Sequence, residues 1–257
     1  MKKEYKQCNR CKSKQSKTSP PGFYKSIEVR NGVEYPIVKE CLCHKNWRLE
    51  TEAINNFVRN GFDPDMFDIN LSNGDYVGVK SIGNITRLSK YIDNFFEDEK
   101  VRASLLFFYG PPDTQIKETV NWIGNKLIRK YEVHFVDFST LFDKFIHSLW
   151  NPDGSKNADP EINYIIDKYS NCDLLIIGNF NINTNGKYTL YSDKQLGLFE
   201  RFLKERILNN KGIIFCSLNS YTTLPNNLKD LISDKIKKRN TEFVFTDIVN
   251  DIPEELF

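Results

Sequence analysis

The chain of 257 residues carries 36 Lys plus Arg against 34 Asp plus Glu, with 40% hydrophobic and 13% aromatic residues. That is enough apolar material for one medium domain with an appendage, and it excludes both an intrinsically disordered protein and a disulfide-held miniature. The longest unbroken apolar run, Leu105–Tyr109, falls far short of the roughly 20 residues of a membrane helix, so a soluble protein with no membrane partner is expected.

The charged start MKKEYKQC leads into no apolar stretch, which speaks against a secretory signal and for a cytoplasmic protein. The near balance of charge hides an asymmetry. Residues 1–50 hold 12 Lys plus Arg against 5 Glu, a balance of +7, and the other 207 residues hold 24 positive against 29 negative side chains, a balance of −5. Three regions are expected: a metal-binding module over 1–50, a helical connector and linker over 51–85, and the main domain over 86–257.

Cys8 and Cys11 form a C-x-x-C pair, and Cys41 and Cys43 form a C-x-C pair followed at once by His44. Four thiolates in two short-spaced pairs suit tetrahedral zinc, which staples a segment too small to bury its own core. His44 is an alternative ligand to Cys43. The plain alternative is four reduced thiols, and redox catalysis is disfavoured because no helix of a thioredoxin-like unit follows the C-x-x-C. Between the pairs, Ile27 and Val29 alternate, Asn31-Gly32 makes a turn, and Ile37 and Val38 return, the pattern of a β-hairpin and, with the Cys pairs, of a zinc ribbon. Lys and Arg crowd the first Cys pair, with Phe23, Tyr24 and Tyr35 nearby. Such a surface suits nucleic acid or an acidic protein face, or is simply solvated.

Helical spacing of Trp47, Ala53, Ile54 and Phe57 predicts a helix that ends near Gly61. Residues 61–80, rich in Asp, Asn and Gly, read as an irregular linker, and LSKYIDNFFED as a second amphipathic helix. Beyond it, five apolar runs alternate with helical stretches: 104–110, 133–138, 173–180, 212–219 and 242–246. Near-continuous apolar strands between helices predict a three-layer α/β domain built on a five-stranded parallel sheet, with ligands bound beyond the carboxyl ends of the strands. Cys172 and Cys216 sit singly in apolar runs and are expected in the core.

The first strand is followed by Gly110-Pro111-Pro112-Asp113-Thr114-Gln115-Ile116-Lys117 and then a helix, the setting of a phosphate-binding P-loop, G-x-x-x-x-G-K-[ST]. The three decisive positions are altered. Gln115 replaces the second glycine, Ile116 the phosphate lysine, and Lys117 the magnesium-binding hydroxyl residue. Lys117 is one residue late, which on a helix turns it by roughly 100°. A local rearrangement is its one route to a phosphate. The third run, DLLIIGNF, has the form of a Walker B strand, but Gly178 and Asn179 stand where an acidic pair holds magnesium and polarises water. Neither carries the charge that phosphoryl transfer to water needs, so no catalytic residue is assigned.

These segments, in this order and at this spacing over nearly the full length, resemble the DnaC/DnaI-type bacterial and phage replicative helicase loaders, a branch of the AAA+ superfamily related to the IstB transposition ATPases. The resemblance rests on the C-x-x-C and C-x-C pairs, KYIDNFFED, LLFFYGPPDT, VHFVDFSTLFDKF, CDLLIIGNF, the span from Gln195 through Ser217-Leu218-Asn219, and LKDLISDKIKKRNTEFVF. It implies zinc on Cys8, Cys11, Cys41 and Cys43, and a degenerate nucleotide site over Gly110–Lys117 with Asn219 as sensor, leaving ATP or ADP binding in question. It also implies an AAA+ domain without a full lid, since little chain follows the fifth run. Lys235 falls where the family carries an Arg that reaches a neighbouring subunit, and Arg206 matches another Arg-rich position.

The resemblance further implies a DNA replication factor whose partners are a replicative DnaB-type helicase and single-stranded DNA, working as a homo-oligomer or a helicase-bound oligomer. A regulatory or inhibitory pseudo-ATPase and an IstB-like transposition helper are the alternatives. Lys144 and His147 beside Phe142, Phe145 and Trp150 offer a DNA-gripping surface, against which Leu141, Phe142, Phe145 and Leu149 have the spacing of a buried helix face. Lys235, Lys237, Lys238 and Arg239 form a second basic run, expected as a solvated face.

Overall fold

A computed structural model of the chain describes residues 22–69, 71, 79–112, 114–149, 160–181, 193–239 and 241–245. Cys8, Cys11, Asp113 and Trp150 lie outside them, as do the side chains of Phe145, His147 and Leu149. Two compact units divide between Asn56 and Phe57.

In the first unit, β1 (Phe23–Arg30) and β2 (Val33–Glu40) form an antiparallel hairpin with Arg30 opposite Val33. Asn31 and Gly32 both take positive φ, 52° and 78°, which joins the strands with the two-residue turn that matches their twist. Helix α1 (Leu42–Arg59) begins directly after Cys41. Cys41 and Cys43 are both buried. Nδ1 of His44 lies 2.5 Å from the Glu40 carboxylate, whose proton affinity this contact lowers.

In the second unit the five apolar runs become β3 (Leu105–Tyr109), β4 (Val133–Asp137), β5 (Leu174–Gly178), β6 (Gly212–Ser217) and β7 (Glu242–Val244). They form one parallel sheet in the order β4-β5-β6-β3-β7. Helices α2 (Val79–Glu97), α3 (Glu99–Arg102), α4 (Ile116–Leu127), α5 (Phe138–Leu149), α6 (Pro160–Asn171), α7 (Asp193–Leu208) and α8 (Asn226–Arg239) run between the strands or precede them.

The strands are near-continuous apolar runs because both sheet faces are covered. Phe107 and Phe215 on one face join Phe138, Phe142, Phe180 and Phe199 from the adjoining helices and loop in a single aromatic core. On the other face Phe108 meets Phe243 and Phe245 edge-on or tilted. Cys172 and Cys216 are buried, as their setting predicts. Among the described residues, no helix is long and apolar enough to cross a membrane.

Residues 57–67, assigned to the connector from sequence, pack on this body. The Phe135 amide of edge strand β4 donates to the Asn60 carbonyl at 2.8 Å, and Asn125 of α4 donates to the Phe67 carbonyl. Phe57 stacks on Phe62 at 4.7 Å and meets Phe67 edge-on. Asp-, Asn- and Gly-rich composition reads as linker, yet here it caps a sheet edge that would otherwise present unpaired backbone groups.

Arg206, on α7, is fully buried. Its guanidinium donates to the carbonyls of Tyr169, Ser170, Cys172 and Gly212, tying the last turn of α6 to the start of β6. Burial lowers its proton affinity, and the dense carbonyl set offsets the cost of an interior cation. The Arg-rich position noted in the sequence is therefore a structural clamp. Arg206→Ala should lower unfolding free energy by about 3–5 kcal/mol in urea denaturation, because four carbonyls lose one partner. A loss under about 1 kcal/mol would show that water substitutes for the clamp.

Candidate functional site

The carboxyl ends of β3, β4, β5 and β6 open onto a pocket of about 470 Å³ lined by Gly110, Asp137, Gly178 and Ser217 from those ends, by the start of α4, and by Gly61–Asp63. Its position is the one where parallel α/β sheets place ligands, and its volume suits a small molecule. Among the described residues three charged side chains line it, Lys117, Asp63 and Asp137; Asn121, Asn179 and Asn181 add amides.

Four described residues of the loop, Gly110, Pro111, Pro112 and Thr114, offer no open main-chain donor. The Gly110 amide donates to the Ser217 carbonyl at 3.2 Å, Pro111 and Pro112 have no N–H, and the Thr114 amide and hydroxyl both donate to the Pro111 carbonyl. Gln115 stands at the cap position of α4 without capping it through its side chain. Of the main-chain donors that such loops turn to phosphates, those of Gly110 and Thr114 are thus spent on internal bonds and Pro111 and Pro112 have none. Ile116 lines the pocket with an apolar side chain.

Lys117 does reach the pocket, but it is paired. Its ammonium lies 2.8 Å from Asp63 Oδ2, and the other carboxylate oxygen of Asp63 accepts the Asp65 amide at 3.0 Å, capping a 3₁₀ turn over Pro64–Met66. The Asp63 amide in turn donates to Asn121 Oδ1 on α4 at 3.0 Å. The hydrogen bond from Lys117 holds the Asp63 carboxyl below the usual carboxylate range, and the same bond raises the lysine. The Asp63 contribution is present above its unfolded pKa and lost as pH falls through its lowered value. The Lys117 contribution is present below its unfolded pKa and lost as pH rises through its raised value, so the pair is intact at neutral pH.

At the end of β5 the backbone is built around a missing side chain. A Cβ at Gly178 would stand 2.5 Å from the Phe135 ring and 3.1 Å from the Asp137 carboxylate. The volume an acidic residue would fill at 178 is occupied by an aromatic ring from the neighbouring strand. Asn179 takes a left-handed φ of 51° and donates to Asp137 at 2.7 Å. Asn181 accepts the Leu218 amide at 2.8 Å, binding the turn after β5 to the turn after β6.

No protein-family model matches the sequence, and no curated protein matches it. Solved structures do match. The DnaC helicase loader aligns over 70% of this chain and 98% of its own, with 17% identity and a TM-score of 0.53. DnaI aligns over 72% of this chain and 95% of its own, with 15% identity and a TM-score of 0.53. A DNA replication initiation factor also matches over 72% of this chain at 15% identity and a TM-score of 0.53, and this chain spans half of that factor's length. The body has the fold of the DnaC/DnaI-type AAA+ loaders.

Within the loader fold the predicted site residues separate. Gly110, Pro111, Pro112, Thr114, Ile116 and Lys117 line the pocket; Gln115 is buried beside it. Asn219 is exposed beyond β6 and its amide bonds back to Ser217 Oγ, while Ser217 and Leu218 line the pocket in its place. Lys235 is exposed on α8. Sequence reasoning missed Asp63, Asn121, Asp137 and Asn181. Only Asp137, the polar end of an apolar run, carried a local signal.

Placing a carboxylate at the end of β5 should damage the fold. Gly178→Asp is expected to cost about 2 kcal/mol of stability through overpacking against Phe135. In Phe135→Ala the same change should cost at least about 1 kcal/mol less, because the ring is gone. Equal costs in both backgrounds, read from denaturant unfolding, would show that Phe135 does not hold that volume.

Proposed function

We propose that this protein is a DNA replication factor of helicase-loader type that acts by binding rather than by nucleotide turnover. The observation that carries the proposal is the match of its α/β body to nearly the whole of the DnaC helicase loader. The replicative helicase is the partner, with single-stranded DNA as a second ligand, and the protein works as an oligomer by itself or on the helicase. The nucleotide site is decayed. Its lysine is paired with Asp63, the Gly110 and Thr114 amides are spent on internal bonds, and Gly178 and Asn179 supply no carboxylate for magnesium.

The amino-terminal module is assigned to zinc and to gripping the helicase. Cys41 and Cys43 supply two buried sulfur donors at the start of α1, which fits half of a tetrahedral site; Cys8 and Cys11 would complete it. The Glu40 carboxylate on Nδ1 of His44 is the kind of outer partner a ligating histidine has, so His44 stays an alternative to Cys43. No larger cluster of metal-binding side chains gathers among the described residues. Bound zinc would hold the module folded.

Two measurements test the proposal. Purified protein should contain about one zinc per chain, lost in Cys8→Ser/Cys11→Ser together with helicase binding; full metal-free folding with unchanged binding would refute the module's assignment. In a loading assay on single-stranded DNA coated with binding protein, the chain should accelerate helicase loading without hydrolysing ATP itself. Slower loading would identify an inhibitor, and ATP turnover abolished by Lys117→Ala would refute the decayed site.

A further inference from the structure

The pocket at the carboxyl edge of the sheet holds a carboxylate against its one described cation. Asp63 comes from residues 57–67, outside the P-loop and outside the sheet, and its position is fixed from several sides. Gly61, at φ 89°, passes so close to β4 that a Cβ there would stand 2.1 Å from the Phe135 carbonyl oxygen. The Phe62 ring sits over Gly124 of α4, where a Cβ would meet it at 2.3 Å. The Asp63 amide is bonded to Asn121 one turn past Lys117, and Oδ1 caps the following 3₁₀ turn. Oδ2 lies 2.8 Å from the Lys117 ammonium, whose own side chain is 63% exposed. The backbone thus presents the carboxylate, and the lysine comes to it.

This matters because Lys117 is the one cation among the described lining residues, against the carboxylates of Asp63 and Asp137. A polyphosphate entering the pocket must take Lys117 from Asp63 and then lie beside the carboxylate it has displaced. An uncharged ligand meets neither obstacle. We propose that Asp63 is a built-in anion that holds Lys117 and sets the specificity of the pocket against nucleoside polyphosphates. This deepens the assignment of the pocket as a disused nucleotide site, on which it rests. The altered P-loop residues weaken phosphate binding, and Asp63 actively competes with what remains.

The test is ADP and ATP binding to the full-length chain by calorimetry, comparing wild type with Asp63→Asn, Asp63→Ser and Asp65→Asn. Asparagine and serine both retain an oxygen able to accept the Asp65 amide, so the 3₁₀ cap is preserved while the charge is lost. Either substitution should tighten ADP binding about fivefold, the upper end of what an exposed ion pair contributes. Asp65→Asn, which removes a neighbouring charge without touching the pair, should change it by less than about twofold. Raising the salt to 1 M should erase most of the gain.

In the Lys117→Ala background, Asp63→Asn should bring clearly less than the roughly fivefold gain, because only the repulsion between carboxylate and phosphate is then relieved. Equal affinity in wild type and both Asp63 variants, or no binding in any of them, would overturn the inference. So would a gain that survives loss of Lys117 undiminished, since Asp63 would then act by repulsion alone. ATP turnover by wild type would instead refute the disused-site assignment, and its separate readout keeps the two failures apart.

Discussion

The rings of Phe62 and Phe135 occupy hollows that only glycine leaves open. Phe62 lies over Gly124 on α4, and Phe135 over Gly178 at the end of β5, while Gly61 lets the chain pass against the Phe135 carbonyl. Since protein interiors are packed as tightly as organic crystals, none of these glycines accepts even a methyl group without moving a neighbour. Together the contacts bind residues 57–67 to the edge strand, to α4 and to the sheet's carboxyl edge. The pocket takes its shape and its charge from that arrangement.

The electrostatic character follows from the packing. With Gly61 and Phe62 fixed and Oδ1 capping the 3₁₀ turn, Asp63 turns Oδ2 to Lys117 at 2.8 Å. With Phe135 over Gly178, the end of β5 has no room for an acid, and the carboxylate at the sheet edge comes instead from Asp137, held by Asn179. A site of this architecture ordinarily gathers positive charge and backbone N–H groups for phosphates. Here the loop closes on its own carbonyl, and the carboxylates outnumber the cation among the described lining residues. The sheet and aromatic core of the fold do not depend on that chemistry.

The sheet was legible in the sequence because strands buried on both faces read as unbroken apolar runs, and Leu105–Tyr109 and Leu174–Gly178 are such runs. The hairpin was legible because Asn31-Gly32 states its turn locally. The altered loop and the Gly178-Asn179 pair were visible as residue types, but the ring that fills the vacated volume comes from β4, some forty positions earlier in the chain. Residues 61–67 read as linker since their signal is two isolated aromatics amid Asp, Pro and Gly. Their partners, Gly124 and Phe135, are tertiary. Asn219 misled for a similar reason: it follows the right strand, but the turn held by Asn181 and Ser217 leaves it outside the lining.

Hydrogen exchange on the full-length chain tests most directly whether residues 57–67 belong to the body, on which the account of the pocket depends. The Phe135 amide, bonded to Asn60, and the Asp63 amide, bonded to Asn121, should exchange as slowly as amides of β5 and β6, opening only with the sheet. Rapid exchange at both positions while the central strands stay protected would mean that these residues are a tether lying loosely on the surface, and the pocket as described would not persist in solution.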